Sequence, residues 1–419
     1  MPQRHSLLKS FGKLLRRASG SLASPSPGPV GDHAGPEHRD AASSPAELQA
    51  IPDLQVRQRR PSPGNAFTLH KALVLHTLLT GLISICSAWH IASNLIAHQV
   101  GLCEEQGRRA TMEDMSIVET DLGVEAFKDF EHLSPQSFLA VLDGHGGSDV
   151  SCWLQTHLLV ELKAQLQLGA AAIIEAEAGE ERNLAVTEAI AAAFAKADDA
   201  LMTDCSNAYA GSCATTVLLM GNMAYLANVG DSRTLLCRQG KVHLATLDHK
   251  PTRKDEMRRI MTAGGIVLSR RVMGELAVSR AFGDHHLKTC TGKGGDKVSN
   301  GKRVHDVTGG FDLGPDIGKA PDPSSDGEEE GWTDPLVISV PEVLSTALTV
   351  EDEFLVLACD GLFDVLANEE VVRIARVALK RGRSCNEVSK ALVTIALEEG
   401  TNDNVSVIVA SLGTMGSGQ

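Results

Sequence analysis

The stretch Phe138-Leu-Ala-Val-Leu-Asp143-Gly144-His145-Gly146-Gly147 decides how the chain folds. Phe138 to Leu142 is an unbroken apolar run, the pattern of a buried strand. An aspartate, a histidine and three glycines follow, where that strand is expected to end. Glycine lets the backbone approach a ligand closely and take angles a side chain forbids. A carboxylate at the rim of a rigid sheet suits a divalent cation. An Asp-Gly hairpin turn accounts for the same residues, and the rest of the chain must separate the two readings.

Outward from this stretch, the chain from Val100 alternates compactly between strand-like and helix-like segments. Strands are expected at Val100–Cys103, Met115–Glu119, Phe138–Leu142, Ala214–Met220, Ala224–Val229, Thr234–Arg238, Phe354–Cys359 and Val405–Ser411. Helices are expected at Asp149–Leu166, Ala185–Met202, Thr252–Ala263, Glu369–Arg381 and Glu387–Glu398. Gly-Asn-Met and Gly-Asp-Ser punctuate the middle strands as hairpin turns do. The class is α+β, an antiparallel core with helices outside. Thr289 to Pro335 interrupts it, Gly-rich and then acidic at Ser325-Asp-Gly-Glu-Glu-Glu330, and reads as a long, mostly disordered insertion.

Three segments are expected: 1–66, 67–98 and a folded domain at 99–413. Residues 1–20 set five bases (Arg4, Lys9, Lys13, Arg16, Arg17) against Leu7, Leu8, Phe11, Leu14 and Leu15, with no acid before Asp32. That pattern fits an organelle transit peptide or a basic disordered tail. Ser21 to Pro63, rich in Pro, Ser, Gly and Ala, reads as linker. Ala72 to Ala97 has no Lys, Arg, Asp or Glu and exceeds the roughly 20 residues that span a bilayer. His76, His90 and Asn94 weaken it as a span. A membrane span, a monotopic anchor and a helix packed on the domain all remain open. The compartment, cytosolic or organellar, stays open with them.

Net charge is −14, unevenly placed. Residues 1–71 hold ten Lys/Arg against five Asp/Glu, and the remainder 29 against 48. The acidic bulk would repel a phosphate backbone, so no nucleic-acid partner is expected. Nine cysteines without a CxxC pair or regular spacing argue for a reducing compartment and against a disulfide framework or a zinc site.

Several acids share the surroundings of Asp143. Glu113-Asp114 follow Arg109; Asp231 follows the apolar Ala224–Val229; Asp284 closes Ala-Val-Ser-Arg-Ala-Phe-Gly-Asp. Asp360 and Asp364 bracket Gly-Leu-Phe, and Asp403-Asn404 precede Val405–Ser411. Mg²⁺ and Mn²⁺ prefer oxygen ligands, and clustered carboxylates repel one another unless a cation neutralises them. A strand leading into an acid, repeated through the chain, points to a hard-metal site built from a sheet.

Seven stretches carry a resemblance: Arg109-x-x-Met-Glu-Asp114, Asp143-Gly-His-Gly-Gly147, Gly230-Asp-Ser-Arg233, Asp248-His-Lys-Pro251, Leu276-Ala-Val-Ser-Arg-Ala-Phe-Gly-Asp284, Cys359-Asp-Gly-Leu-Phe-Asp364 and Asp403-Asn404. In this order the chain resembles the metal-dependent protein phosphatase 2C family from about Val100 to Leu412. The resemblance implies a four-layer α-β-β-α sandwich, two central antiparallel sheets flanked by helices, with two Mn²⁺ or Mg²⁺ ions in a cleft at one end. It implies that Asp143 bridges both ions, that the Gly144 carbonyl binds one, and that Asp360 and Asp403 complete the site with Glu113 and Asp114 assisting. Asp231 and Asp364 look like the pair that, with Asp360, holds a weaker third ion, and Asp284 is a further acidic candidate there. Two such metals about 3.5–4 Å apart lower the pKa of a bridging water. Arg109 is expected to clamp the phosphoryl oxygens, and His145 to protonate the leaving oxygen. The implied activity is Ser/Thr protein dephosphorylation by a monomeric catalytic domain. A small-molecule phosphohydrolase and a membrane-tethered phosphoprotein-binding scaffold are the alternatives.

Overall fold

The computed structural model describes residues 97–176, 179–289 and 332–413. Strands β1 (Ala97–Glu105), β2 (Met115–Glu119) and β3 (Gln136–His145) lead into helices α1 (Asp149–Leu168), α2 (Ala170–Glu175) and α3 (Glu180–Asp204). Next come β4 (Gly211–Met220), β5 (Met223–Val229), β6 (Arg233–Arg238), β7 (Lys241–Ala245) and α4 (Lys254–Thr262). The short strands β8 (Val267–Leu268), β9 (Arg271–Val272) and β10 (Phe282–Gly283) precede α5 (His285–Lys288). The C-terminal part holds β11 (Glu342–Ala347), β12 (Asp352–Ala358), α6 (Asp360–Phe363), α7 (Asn368–Lys380), α8 (Cys385–Glu399) and β13 (Val405–Leu412).

Antiparallel pairing makes two main sheets, ordered β1-β13-β12-β6-β7 and β11-β5-β4-β3-β2, with β10 attached to β4. β3 shows why they stack. Its Phe138, Ala140 and Leu142 face the helical layer, while Leu139 and Val141 meet Leu355, Leu357, Ile408 and Ala410 between the sheets. A strand buried on both faces has no polar face to alternate with, which is why Phe138–Leu142 is uninterrupted. In α1, Leu154, Leu158, Leu162 and Leu166 recur every four residues and are buried with Ile190, Phe194 and Leu201 of α3. Each fully buried leucine contributes roughly 1.5–3 kcal/mol. On the other sheet α8 lies against β1 and β13, and α7 against β6 and β7. A capping box between Ser384 and Glu387 starts α8. The result is the expected α-β-β-α sandwich.

Local expectations were corrected in three places. β3 does not stop at Leu142: β4 supplies partners as far as Asp143↔Cys213, Gly144↔Ser212 and His145↔Gly211. No Asp-Gly hairpin forms there. Gly230-Asp231-Ser232 is not a hairpin either, because β5 and β6 lie in different sheets and the chain crosses between them. Gly221-Asn222 does turn β4 into β5, with Gly221 at φ 56°. Trp332–Pro335, placed in the expected insertion, belongs to the packed domain: Trp332 packs against the Ile260–Leu336 cluster, and Thr333 N donates to Ala263 O at 2.9 Å.

Residues 1–96 and 290–331 lie outside the described residues, and with them the expected targeting segment, nearly all of 72–97, and most of the insertion. Ala97 opens β1. Among the described residues no helix is long and apolar enough to cross a membrane.

Candidate active site

Strand register decides which acids meet. Ala358, the last residue of β12, faces Val407 of β13 and Arg233 of β6. Asp360 therefore emerges beside the chain entering β13, which carries Asp403, and the chain entering β6, which carries Asp231. In the other sheet Asp143 faces Cys213, and the next β4 residue, Ala214, faces Val229 at the end of β5. The crossing at Gly230–Ser232 then sets Asp231 between the two sheets. One carboxylate oxygen from each of Asp143, Asp231 and Asp360 lies within 4.8 Å of the others.

These acids line a cleft of about 220 Å³ with Arg109, Glu113, Gly144, His145 and Asp403. Asp114 lies buried, accepting from Ser406 Oγ at 2.8 Å. Asp364 closes α6 and does not line the cleft. Asp284 sits behind the cleft, 1% exposed, with both carboxylate oxygens 2.8–3.0 Å from His145 Nε2. The structure thus brings Asp284 to a catalytic candidate and not into the Asp143–Asp231–Asp360 group.

The crowding is electrostatically unfavourable as it stands. Burial pushes the Asp143 carboxyl well above its ordinary value, and the charges of Asp114, Asp360 and Asp231 push it further. Burial followed by Asp231 and Asp364 raises Asp360 to about 8. Burial raises Asp114 to about 6, partly opposed by its hydrogen bond from Ser406. Acids brought together from separate strands and mutually repelling are a donor set that a divalent cation neutralises. All the donors are oxygen, which fits a hard ion. The thiol of Cys213 points at Asp231 Oδ1 at 3.3 Å, and burial holds it well above the ordinary thiol range. It stays a proton donor to that carboxylate.

The loop between β1 and β2 is pinned over the cleft by Asn404. Its Nδ2 donates to Gln106 O (2.8 Å) and Thr111 O (3.0 Å), and its Oδ1 accepts from Glu113 N (2.8 Å). Asn404 also orients Asp403, its N donating to Asp403 Oδ1 at 2.8 Å, while its side chain fixes the segment bearing Arg109 and Glu113. Arg109 Nη2 donates to Asp403 Oδ2 at 2.6 Å. Gly144 is required by close approach: a Cβ there would lie 2.3 Å from Glu113 O.

Burial alone would lower the proton affinity of the His145 imidazole, but the charge and hydrogen bond of Asp284 outweigh it and raise the pKa. Two groups escaped prediction as site residues. Lys250 donates to Asp231, and Ser232 Oγ donates to Asp143 Oδ2 at 3.4 Å. Lys250 had only its place in Asp248-His-Lys-Pro251 as a signal. His249 accounts for that motif: its N donates to Gly230 O and its Nδ1 accepts from Gly230 N, strapping the crossing in place.

Comparison with known proteins identifies this acid-lined cleft and double-sheet sandwich as those of a protein-serine/threonine phosphatase. The family model described as Protein phosphatase 2C matches residues 98–405. Protein phosphatase 1B of Mus musculus is 34% identical over 315 residues, covering 74% of this chain and 69% of the relative. Protein phosphatase 1A of Homo sapiens is 33% identical over 317 residues, with the same coverages, 74% and 69%. The crystal structure of serine-threonine phosphatase 2C from Toxoplasma gondii shares the fold at TM-score 0.54 and 19% identity, covering 75% of this chain and 94% of that one. The chain belongs to the protein phosphatase 2C family.

Proposed function

We propose that this protein hydrolyses phosphoserine and phosphothreonine in proteins, using Mn²⁺ or Mg²⁺ held by the acids of the cleft. The observation that carries the reading is the convergence of Asp143 of β3, Asp231 of the β5–β6 crossing and Asp360 at the start of α6 onto one rim, beside Arg109 and His145. Asp143, Asp360, Asp403 and the Gly144 carbonyl would hold two ions, with Glu113 and Asp114 supporting them and Asp231 and Asp364 offering a weaker outer place. When bound, such ions activate water and draw charge from the phosphoryl oxygens.

The side chains supply the rest. Arg109, on a pinned loop, presents a planar fork to two phosphoryl oxygens. Its present partner, Asp403, releases it when substrate offers the better match. His145, its protonated form favoured by the Asp284 carboxylate, donates a proton to the departing Ser or Thr oxygen, an alkoxide too basic to leave unaided. Asp284 serves His145 in this reading and is not a metal ligand.

Two measurements test the reading. The full-length protein should release phosphate from a phosphothreonine peptide with Mn²⁺, lose that activity in EDTA, and regain it when Mn²⁺ is restored. Hydrolysis of a sugar phosphate alone would replace the reading with the small-molecule one, and metal binding without turnover would leave the scaffold. Arg109→Ala should lower kcat/KM for the peptide about 10- to 100-fold, matching charged hydrogen bonds worth roughly 1.5–3 kcal/mol. Arg109→Lys, keeping charge without the fork, should recover only part of it. Full recovery by lysine would mean that charge alone suffices.

A further inference from the structure

Asp284 holds His145 from an unusual backbone. Gly283 has φ 71° and Asp284 follows at φ 51°, ψ 44°, left-handed in a residue that carries a side chain. Non-glycine residues are uncommon in this conformation, aspartate less so than most, and here specific contacts hold it. Gly283 itself is dictated by contact, since a Cβ there would lie 2.5 Å from Ala210 O.

The imposing groups can be named. Asp284 N donates to Ala210 O at 2.8 Å, tying the turn to the chain entering β4. Gly283 N donates to Asp198 Oδ1 at 2.9 Å. Asp198 also accepts from Lys288 Nζ through both oxygens, at 2.7 and 2.6 Å, and Lys288 Nζ donates to Ala281 O at 2.8 Å. Together Asp198 and Lys288 grip the turn on either side of Phe282. Both are buried, at 0% and 4% exposure.

Asp198 is out of keeping with its helix. It sits on the face of α3 that buries Ala193, Phe194, Ala197 and Leu201. A buried ion pair is poor value for stability, because apolar side chains of similar volume do as well or better. What apolar residues cannot do is accept from Gly283 N and donate to Ala281 O at once. We propose that the Asp198–Lys288 pair is a positioning device for catalysis: it fixes the Ala281–Asp284 turn so that Asp284 aims His145 at the leaving oxygen. Neither residue touches the substrate, and the proposal rests on His145 acting as the general acid.

In that step the phosphorus–oxygen bond to the threonine side chain breaks and the leaving oxygen takes the His145 proton. Water supplies the oxygen that phosphorus gains, and the one proton it releases restores the imidazolium by way of solvent. A p-nitrophenolate leaves without needing a proton, so that substrate bypasses the device.

The test is a split between leaving groups, read on the Mn²⁺-loaded full-length protein. Asp198→Leu/Lys288→Met replaces the pair with apolar groups of similar volume, and Asp198→Asn keeps an acceptor for Gly283 N while removing the charge. Against a phosphothreonine peptide kcat should fall at least about 10-fold in the double variant, while p-nitrophenyl phosphate turnover changes less than about 3-fold. Asp198→Asn should fall between wild type and the double variant, and decides the matter should the double variant not fold. His145→Gln run alongside should show the same split, at least as large. Equal losses on both substrates, or an unchanged ratio, in folded pair variants would overturn the proposal while the His145 split stands. If His145→Gln shows no split, the acid role itself fails and this proposal falls with it.

Discussion

Asp143→Asn is expected to lower phosphate release from a phosphothreonine peptide by about 10³-fold, the scale of removing a preorganised electrostatic contact at the reacting centre. The same change should leave the metal-free protein as stable as wild type or more so. Asp143 lies where burial and four neighbouring carboxylates disfavour its charge, and an amide of the same shape relieves that repulsion. A ligand that binds only the native state raises the unfolding midpoint. Mn²⁺ should therefore raise the melting temperature of wild type and raise that of Asp143→Asn far less. Thermal unfolding with and without Mn²⁺, beside the turnover assay, checks both halves. A variant that keeps turnover would falsify the bridging role; one that loses turnover but keeps the full Mn²⁺ shift would move Asp143 out of the metal set.

Stripped of metal, the protein should lose stability as pH rises from about 4 to about 8. Asp360 goes from an ordinary 3.8 to about 8 in the fold, and Asp114 to about 6. Between those limits the native state binds more protons than the unfolded chain, so stability falls with rising pH. The full benefit is present below the unfolded value and is gone once pH passes the folded one. With these two groups and Asp143 acting in the same direction, the swing is roughly a few kcal/mol. Urea unfolding in EDTA at several pH values measures it, and saturating Mn²⁺ should flatten or invert the slope. A metal-free protein more stable at pH 8 than at pH 5 would show that the carboxylates are not crowded in solution.

How much of this could be read beforehand follows from distance along the chain. The run Phe138–Leu142 announced a strand because its two faces meet two different cores. Its true end was hidden, because the residues that extend it, Gly211 to Cys213, lie on another strand. Gly230-Asp231-Ser232 has the chemistry of a turn, and local chemistry does not say whether the next strand returns to the same sheet. β7 went unseen because it is only five residues long with no buried position, and β11 because it lacks a clean alternation. The acids of the cleft were legible as a set, each at the end of an apolar run. Asp284 and its histidine are 139 positions apart, and nothing local to either names the other. Asp198 read as one more residue of an amphipathic helix. A charge on a buried face shows itself only when the groups that answer it, Gly283 and Lys288, are folded against it.

The pairing of Leu336 N with Leu287 O, at 3.0 Å, completes the return of the chain after residues 290–331. Both ends of that span are thus fastened to the body by contacts of their own, Lys288 on one side and Trp332 on the other. The sheets, the acids of the cleft and the Asp284 turn are therefore tied together by contacts among residues outside 290–331.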